Sequence, residues 1–88
     1  MYQQTSILAY RKLENIGQKQ LRCYDTIKSL GKAANYDIAM RLGQPINTVT
    51  PRVKELREMG LVQEAYKDRH PITHRTVIYW EIVQGKEV

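Results

Sequence analysis

Two groups of residues in this 88-residue chain carry side chains suited to gripping a polyanion. Asn47, Thr48, Thr50, Pro51, Arg52 and Lys54 bring an amide, two hydroxyls and two cations into one short stretch. Lys67, Arg69, His70, His74 and Arg75 surround one polar segment in which Asp68 is the opposing charge. Cations of this kind neutralise phosphates, hydroxyls reach phosphate or base edges, methyl and methylene groups touch thymine, and the arginine fork fits guanine. The charge balance agrees with a polyanionic partner: Lys and Arg number 14 against 9 Asp and Glu, a formal net charge of +5.

Other chemistries find less material. His70 and His74 flank Pro71 without a cysteine or a further histidine nearby, short of the three or four ligands a metal site uses. Cys23 is the single cysteine, so no internal disulfide forms, and its apolar-rich surroundings read as those of a buried, inert thiol. No nucleophile–base pair, phosphate loop or metal cluster can be assembled, so the sequence predicts no enzyme, no catalytic residue, no metal and no cofactor. A hydrophobic fraction of 42% and a charged fraction of 26% are those of a folded, soluble chain and exclude disorder or a membrane span. The start, Met1-Tyr2-Gln3-Gln4-Thr5, lacks the features of a signal peptide, so the expected location is cytoplasmic.

The two basic groups need elements to hold them. Gln18 to Leu30 repeats apolar residues at Leu21, Tyr24, Ile27 and Leu30 and ends at Gly31, which predicts a helix. A short upstream helix, from a Ser6 cap to Asn15 and carrying Tyr10 and Leu13, is also predicted. Asn35 reads as the cap of a helix bearing Ile38, Ala39 and Leu42, stopped by Gly43. After Gly43-Gln44-Pro45-Ile46, a cap at Asn47 or Thr48 opens a helix with Val49, Val53, Leu56 and Met59 inward and Gly60 as terminator. Thr48 is preferred, because Pro51 then falls at the third helical position, whose amide has no partner within the helix. Two short helices across a tight glycine-bearing turn must cross steeply and pack their apolar stripes together.

Beyond Gly60 the period shortens to two residues: Leu61 to Lys67 and Thr76 to Val83 read as hairpin strands joined by the loop Asp68 to Arg75. Trp80 alternates inward with Ile78 and Ile82, which makes it core, and a short strand near Lys32 to Ala34 could pair beside the hairpin. Tyr36 serves either core packing or a phosphate contact, and the six tyrosines are too scattered for a base-stacking platform.

The order helix, helix-turn-helix and basic hairpin resembles the winged helix-turn-helix family, and NYDIAMRLGQPINTVTPRVKELREMGLV carries the resemblance most strongly. Within that family the chain is similar to small phage- and prophage-encoded members. The resemblance implies an α+β, mainly α fold: a winged helix domain over 17–88, with a three-helix core and a hairpin wing, preceded by an extension over 1–16. It also implies double-stranded DNA as partner, read by Thr48 to Met59 in the major groove with the wing on the backbone or in the minor groove, in a transcriptional regulator or mobile-element accessory factor. The residues allow a plainer alternative in which Arg52, Lys54 and Arg57 pair with Glu55 and Glu58 as a solvated face. A rival function is docking of a protein partner, for which Glu55 and Glu58 speak. About 16 residues before the first long helix leave little surface for self-association, so a monomer or weak homodimer is expected.

Overall fold

A computed structural model of the protein describes residues 17–83; the helix anticipated between Ser6 and Asn15 lies outside the described residues. Helix α1 spans Gln18–Leu30. Its first turn is closed by the Gln20 side chain, whose Oε1 accepts the Gly17 amide at 2.8 Å. The buried face is Cys23, Tyr24, Thr26 and Ile27, whereas Leu21 and Leu30 each stay 37% exposed. A three-residue spacing falls short of the ~3.6-residue turn, so the stripe expected from sequence winds round the helix and leaves its two ends on opposite flanks.

Helices α2, Asn35–Leu42, and α3, Ile46–Glu58, follow across a short turn. Asn35 is not the cap of α2: Ala34 holds that place, and Asp37 reaches back to accept the Ala34 amide on Oδ2 at 3.0 Å. Gly43 ends α2 at φ 66°, a left-handed conformation that glycine adopts without the steric cost a side chain would add. The start of α3 also differs from expectation. Pro45 is its cap, both Asn47 and Thr48 lie inside the first turn, and Pro51 falls in the second turn rather than at the third position. Having no amide hydrogen, Pro51 cannot donate to the carbonyl four residues back, yet the helix runs unbroken to Glu58.

Strands β1, Val62–Arg69, and β2, Thr76–Ile82, form an antiparallel hairpin, so the loop is shorter than predicted, running from His70 to Arg75. The register slips between Glu64 and Tyr66, a bulge that re-aims the outer half of the hairpin. Ala33 exchanges backbone hydrogen bonds with Trp80 at 2.9 and 2.8 Å, which supplies the short third pairing anticipated near Lys32 to Ala34. The core gathers Ile27 from α1, Ile38 and Ala39 from α2, Val49, Val53 and Leu56 from α3, Leu61 and Val62 after α3, and Trp80 and Ile82 from β2. Helix α3 packs on both α1 and α2 and also meets β1. Three helices followed by this hairpin are the winged helix-turn-helix arrangement.

Candidate nucleic-acid interface

Successive residues of α3 advance by about 100°, so burying Val49, Val53 and Leu56 turns Asn47, Pro51, Lys54 and Glu58 to the opposite side. All four are exposed, as are Thr50 and Arg57 on one flank. Thr50 donates its hydroxyl to the Ile46 carbonyl at 3.0 Å and accepts the Asn35 Nδ2 at 3.4 Å, which ties the exposed edge of α3 to the start of α2. Thr48 lies half-buried on the other flank.

Arg52 lies on a different side of α3 from Lys54. It sits at the margin of the buried stripe, where its Nη2 pairs with Glu55 Oε2 at 3.0 Å. The other carboxylate oxygen of Glu55 accepts Gln20 Nε2 from α1 at 2.7 Å. The Arg52 Nε is buried without a hydrogen-bond acceptor, and the side chain lines a recess of about 70 Å³ together with Cys23, Leu42 and Val49. Arg52 is thus engaged at the α1–α3 junction, and the ion pair allowed by the sequence is present. Burial pushes the Cys23 thiol above its ordinary range, with the Arg52 charge opposing in part, which keeps the sulfur protonated at neutral pH.

On the wing, Lys67, Arg69, His74 and Arg75 are exposed, while His70 is only 1% exposed. The His70 ring lies inside, with Nε2 2.7 Å from Asp37 Oδ1 and Nδ1 accepting the amides of Ile72 at 3.1 Å and Thr73 at 3.4 Å. Tyr36 meets this ring edge-on at a centroid distance of 5.1 Å, a contact within the fold. The loop backbone turns through His74 at φ 61°, an uncommon conformation that histidine tolerates better than bulkier residues. Asp68 accepts the Arg69 amide on Oδ1 at 2.7 Å.

A cleft of about 660 Å³ separates the wing from the start of α2 and is lined by Asn35, Tyr36, Thr73, Arg75 and Trp80, among others, with Ile46 as the residue it takes from α3. Sequence reasoning missed Asn35 and Asp37 as joints of this surface. An acidic residue in the first turn of a helix is a readable sign of capping, but its second partner lies 33 residues away. Among the described residues no three His, Cys, Asp or Glu side chains gather as a metal site, and no helix is long and apolar enough to cross a membrane.

The fold has parallels among solved structures. The fold is similar to that of reduced AbfR bound to DNA, with a TM-score of 0.64 and 21% identity over 93% of this chain and 58% of that one. It is similar to the homodimeric winged helix-turn-helix DNA-binding domain Mb0332 (fragment 1–100) from Mycobacterium bovis, a possible ArsR-family transcriptional regulator. There the TM-score is 0.61 and the identity 20% over 94% of this chain and 68% of the other. Apo MarR from E. coli gives 0.63 and 17% identity over 93% of this chain and 59% of MarR. The chain therefore spans little more than half the length of AbfR and MarR. No protein family and no curated protein matches the sequence. The chain has the winged helix-turn-helix fold.

Proposed function

We propose that this domain binds double-stranded DNA without catalysis, as a small cytoplasmic transcriptional regulator or an accessory factor of a phage or other mobile element. The observation that carries the reading is that two elements of one small domain expose polar and cationic side chains: α3 with Asn47, Thr50, Pro51 and Lys54, and the wing with Lys67, Arg69, His74 and Arg75. In this reading the first half of α3 enters the major groove, where Asn47 and Thr50 meet base edges and Pro51 offers methylenes to thymine. Lys54 and the wing cations take phosphates, with Arg69 or Arg75 also suited to a narrow minor groove. Thr48 and Arg52 support that surface from its inner flank, and His70 does so from within the wing. Pro51 supports the reading independently. An exposed proline in the second turn of a helix costs stability, and local rules are broken most often where a surface has another task.

The DNA bound to reduced AbfR is a property of that protein, and it supports the same partner here. Docking of a protein partner is the weaker reading, because the Glu55 carboxylate that spoke for it is taken up by Gln20 and Arg52. Self-association is expected to be weak, and sedimentation at micromolar concentration measures it. Mb0332, whose domain is homodimeric, sets the contrasting outcome.

Titrating salt against binding to mixed duplex fragments tests the proposal, with sequence selection from the bound pool. Binding that weakens steeply with salt is expected, and no binding at low salt would sink the proposal. Arg69→Ala should weaken every sequence alike and reduce the log–log salt slope by about 1.

A further inference from the structure

We propose that His70 is the positioning residue of the wing, a neutral imidazole clamped between Asp37 of α2 and the loop amides of Ile72 and Thr73, which fixes where the wing cations stand beside α3. The functional consequence rests on the DNA-binding reading; the clamp itself does not.

The ring's protonation state follows from its partners. Nδ1 accepts two amide hydrogens, from Ile72 at 3.1 Å and Thr73 at 3.4 Å, so it carries no proton of its own. The proton then sits on Nε2 and is donated to Asp37 Oδ1 at 2.7 Å. The other oxygen of the same carboxylate accepts the Ala34 amide at 3.0 Å, so Asp37 is held by the start of α2 and holds the ring in turn. The His70 backbone closes the loop as well: its amide donates to the Arg75 carbonyl at 2.8 Å, and its carbonyl accepts the His74 amide at 2.9 Å. Tyr36 from α2 stands edge-on to the imidazole, and the Tyr79 ring from β2 lies parallel to it at 6.2 Å, so aromatic neighbours set the plane of the ring and the hydrogen bonds set which nitrogen faces Asp37.

Position in the wing makes this clamp decisive. From residue 66 to residue 76 His70 is the one buried side chain; Thr73 is half-buried and the rest are exposed. A two-stranded hairpin is marginal in water by itself, and in the outer part of this one His70 is the side chain drawn fully into the fold. The wing cations Arg69 and Arg75 flank that histidine directly or across the loop it closes, so their placement depends on it.

The test uses the full chain at a temperature well below its unfolding midpoint. Nitrogen NMR of the histidine side chains should find the Nε2–H tautomer at His70 near neutral pH; an imidazolium or the Nδ1–H tautomer would overturn the clamp. In His70→Ala, hydrogen exchange at the Ile72 and Thr73 amides should quicken at least tenfold relative to the Val62 amide, and unchanged protection would equally overturn it. A double-mutant cycle on duplex DNA reads the functional half. Arg75→Ala should cost roughly tenfold in affinity in the parent and less than about twofold in the His70→Ala background, because a wing without its clamp has no fixed contact to lose. Equal losses in both backgrounds refute positioning, since a role confined to stability leaves the folded protein's contacts intact. Should His70→Ala fail to fold, Asp37→Asn, which keeps the shape but cannot accept both hydrogens, takes its place in the exchange measurement and in the cycle. If the parent binds no duplex at low salt, the DNA reading falls alone, and exchange and tautomer still decide the clamp.

Discussion

Helix α3 and the wing both present polar and cationic side chains at the surface, yet they are held by opposite kinds of force. Val49, Val53 and Leu56 fix α3 through three almost wholly buried aliphatic side chains that pack against α1 and α2. Burial of that kind is non-directional and contributes roughly 1.5–3 kcal/mol per side chain. The outer wing buries no aliphatic side chain, and its loop is joined to α2 by directional hydrogen bonds to one ring. Packing tolerates a change of side-chain chemistry of similar volume, whereas a donor–acceptor chain fails when any member changes its sense. The contrast teaches that one half of the surface inherits its place from the core and the other from a polar joint.

Substitutions can break that contrast, beginning with the largest expected effect. Leu56→Ala removes a side chain with no exposed surface and should cost about 2–5 kcal/mol, enough to unfold much of so small a domain; denaturant titration measures it. If the loss is below about 1 kcal/mol, α3 is not held by packing in the manner described. Asp37→Ala deprives both the Ala34 amide and His70 Nε2–H of their acceptor and should cost about 1–3 kcal/mol in the same titration. Its largest spectral changes should fall in the wing loop and at the start of α2. Changes spread evenly over α1 and α3 would erase the distinction between the two halves.

Pro51→Ala carries the smallest effect and runs in the other direction. Restoring an amide to an exposed helical position should raise stability by about 1 kcal/mol while lowering duplex affinity, as read by thermal unfolding and binding on one preparation. A variant that gains stability and binds DNA unchanged would remove Pro51 from the contact surface and sharpen the role of Asn47, Thr50 and Lys54.

Much of this was legible in the sequence, for a local reason. Glycine terminators at Gly31 and Gly43, the apolar spacing of Val49, Val53 and Leu56, and the two-residue alternation through Ile78, Trp80 and Ile82 depend on neighbours within a turn or a strand. They determined the element order, the winged helix arrangement and the inward place of Trp80. Local signals misled where two adjacent residues competed for one place. Asn35 and Thr48 looked like caps by residue type, but the chain entered each helix one to three residues earlier, from Ala34 and Pro45.

What the tertiary structure alone decided is which side chains of the two groups are drawn inward. Arg52 pairs within its own helix with Glu55, as spacing allowed, but that glutamate is also held by Gln20, 35 residues from it, and His70, unlike His74 in the same loop, pairs with an aspartate 33 residues away. A polar side chain entering the interior must find a partner there, and that partner is set by how helices and hairpin pack rather than by spacing along the chain. The sequence by itself determined where the polar and cationic residues cluster; packing determined which of them face outward.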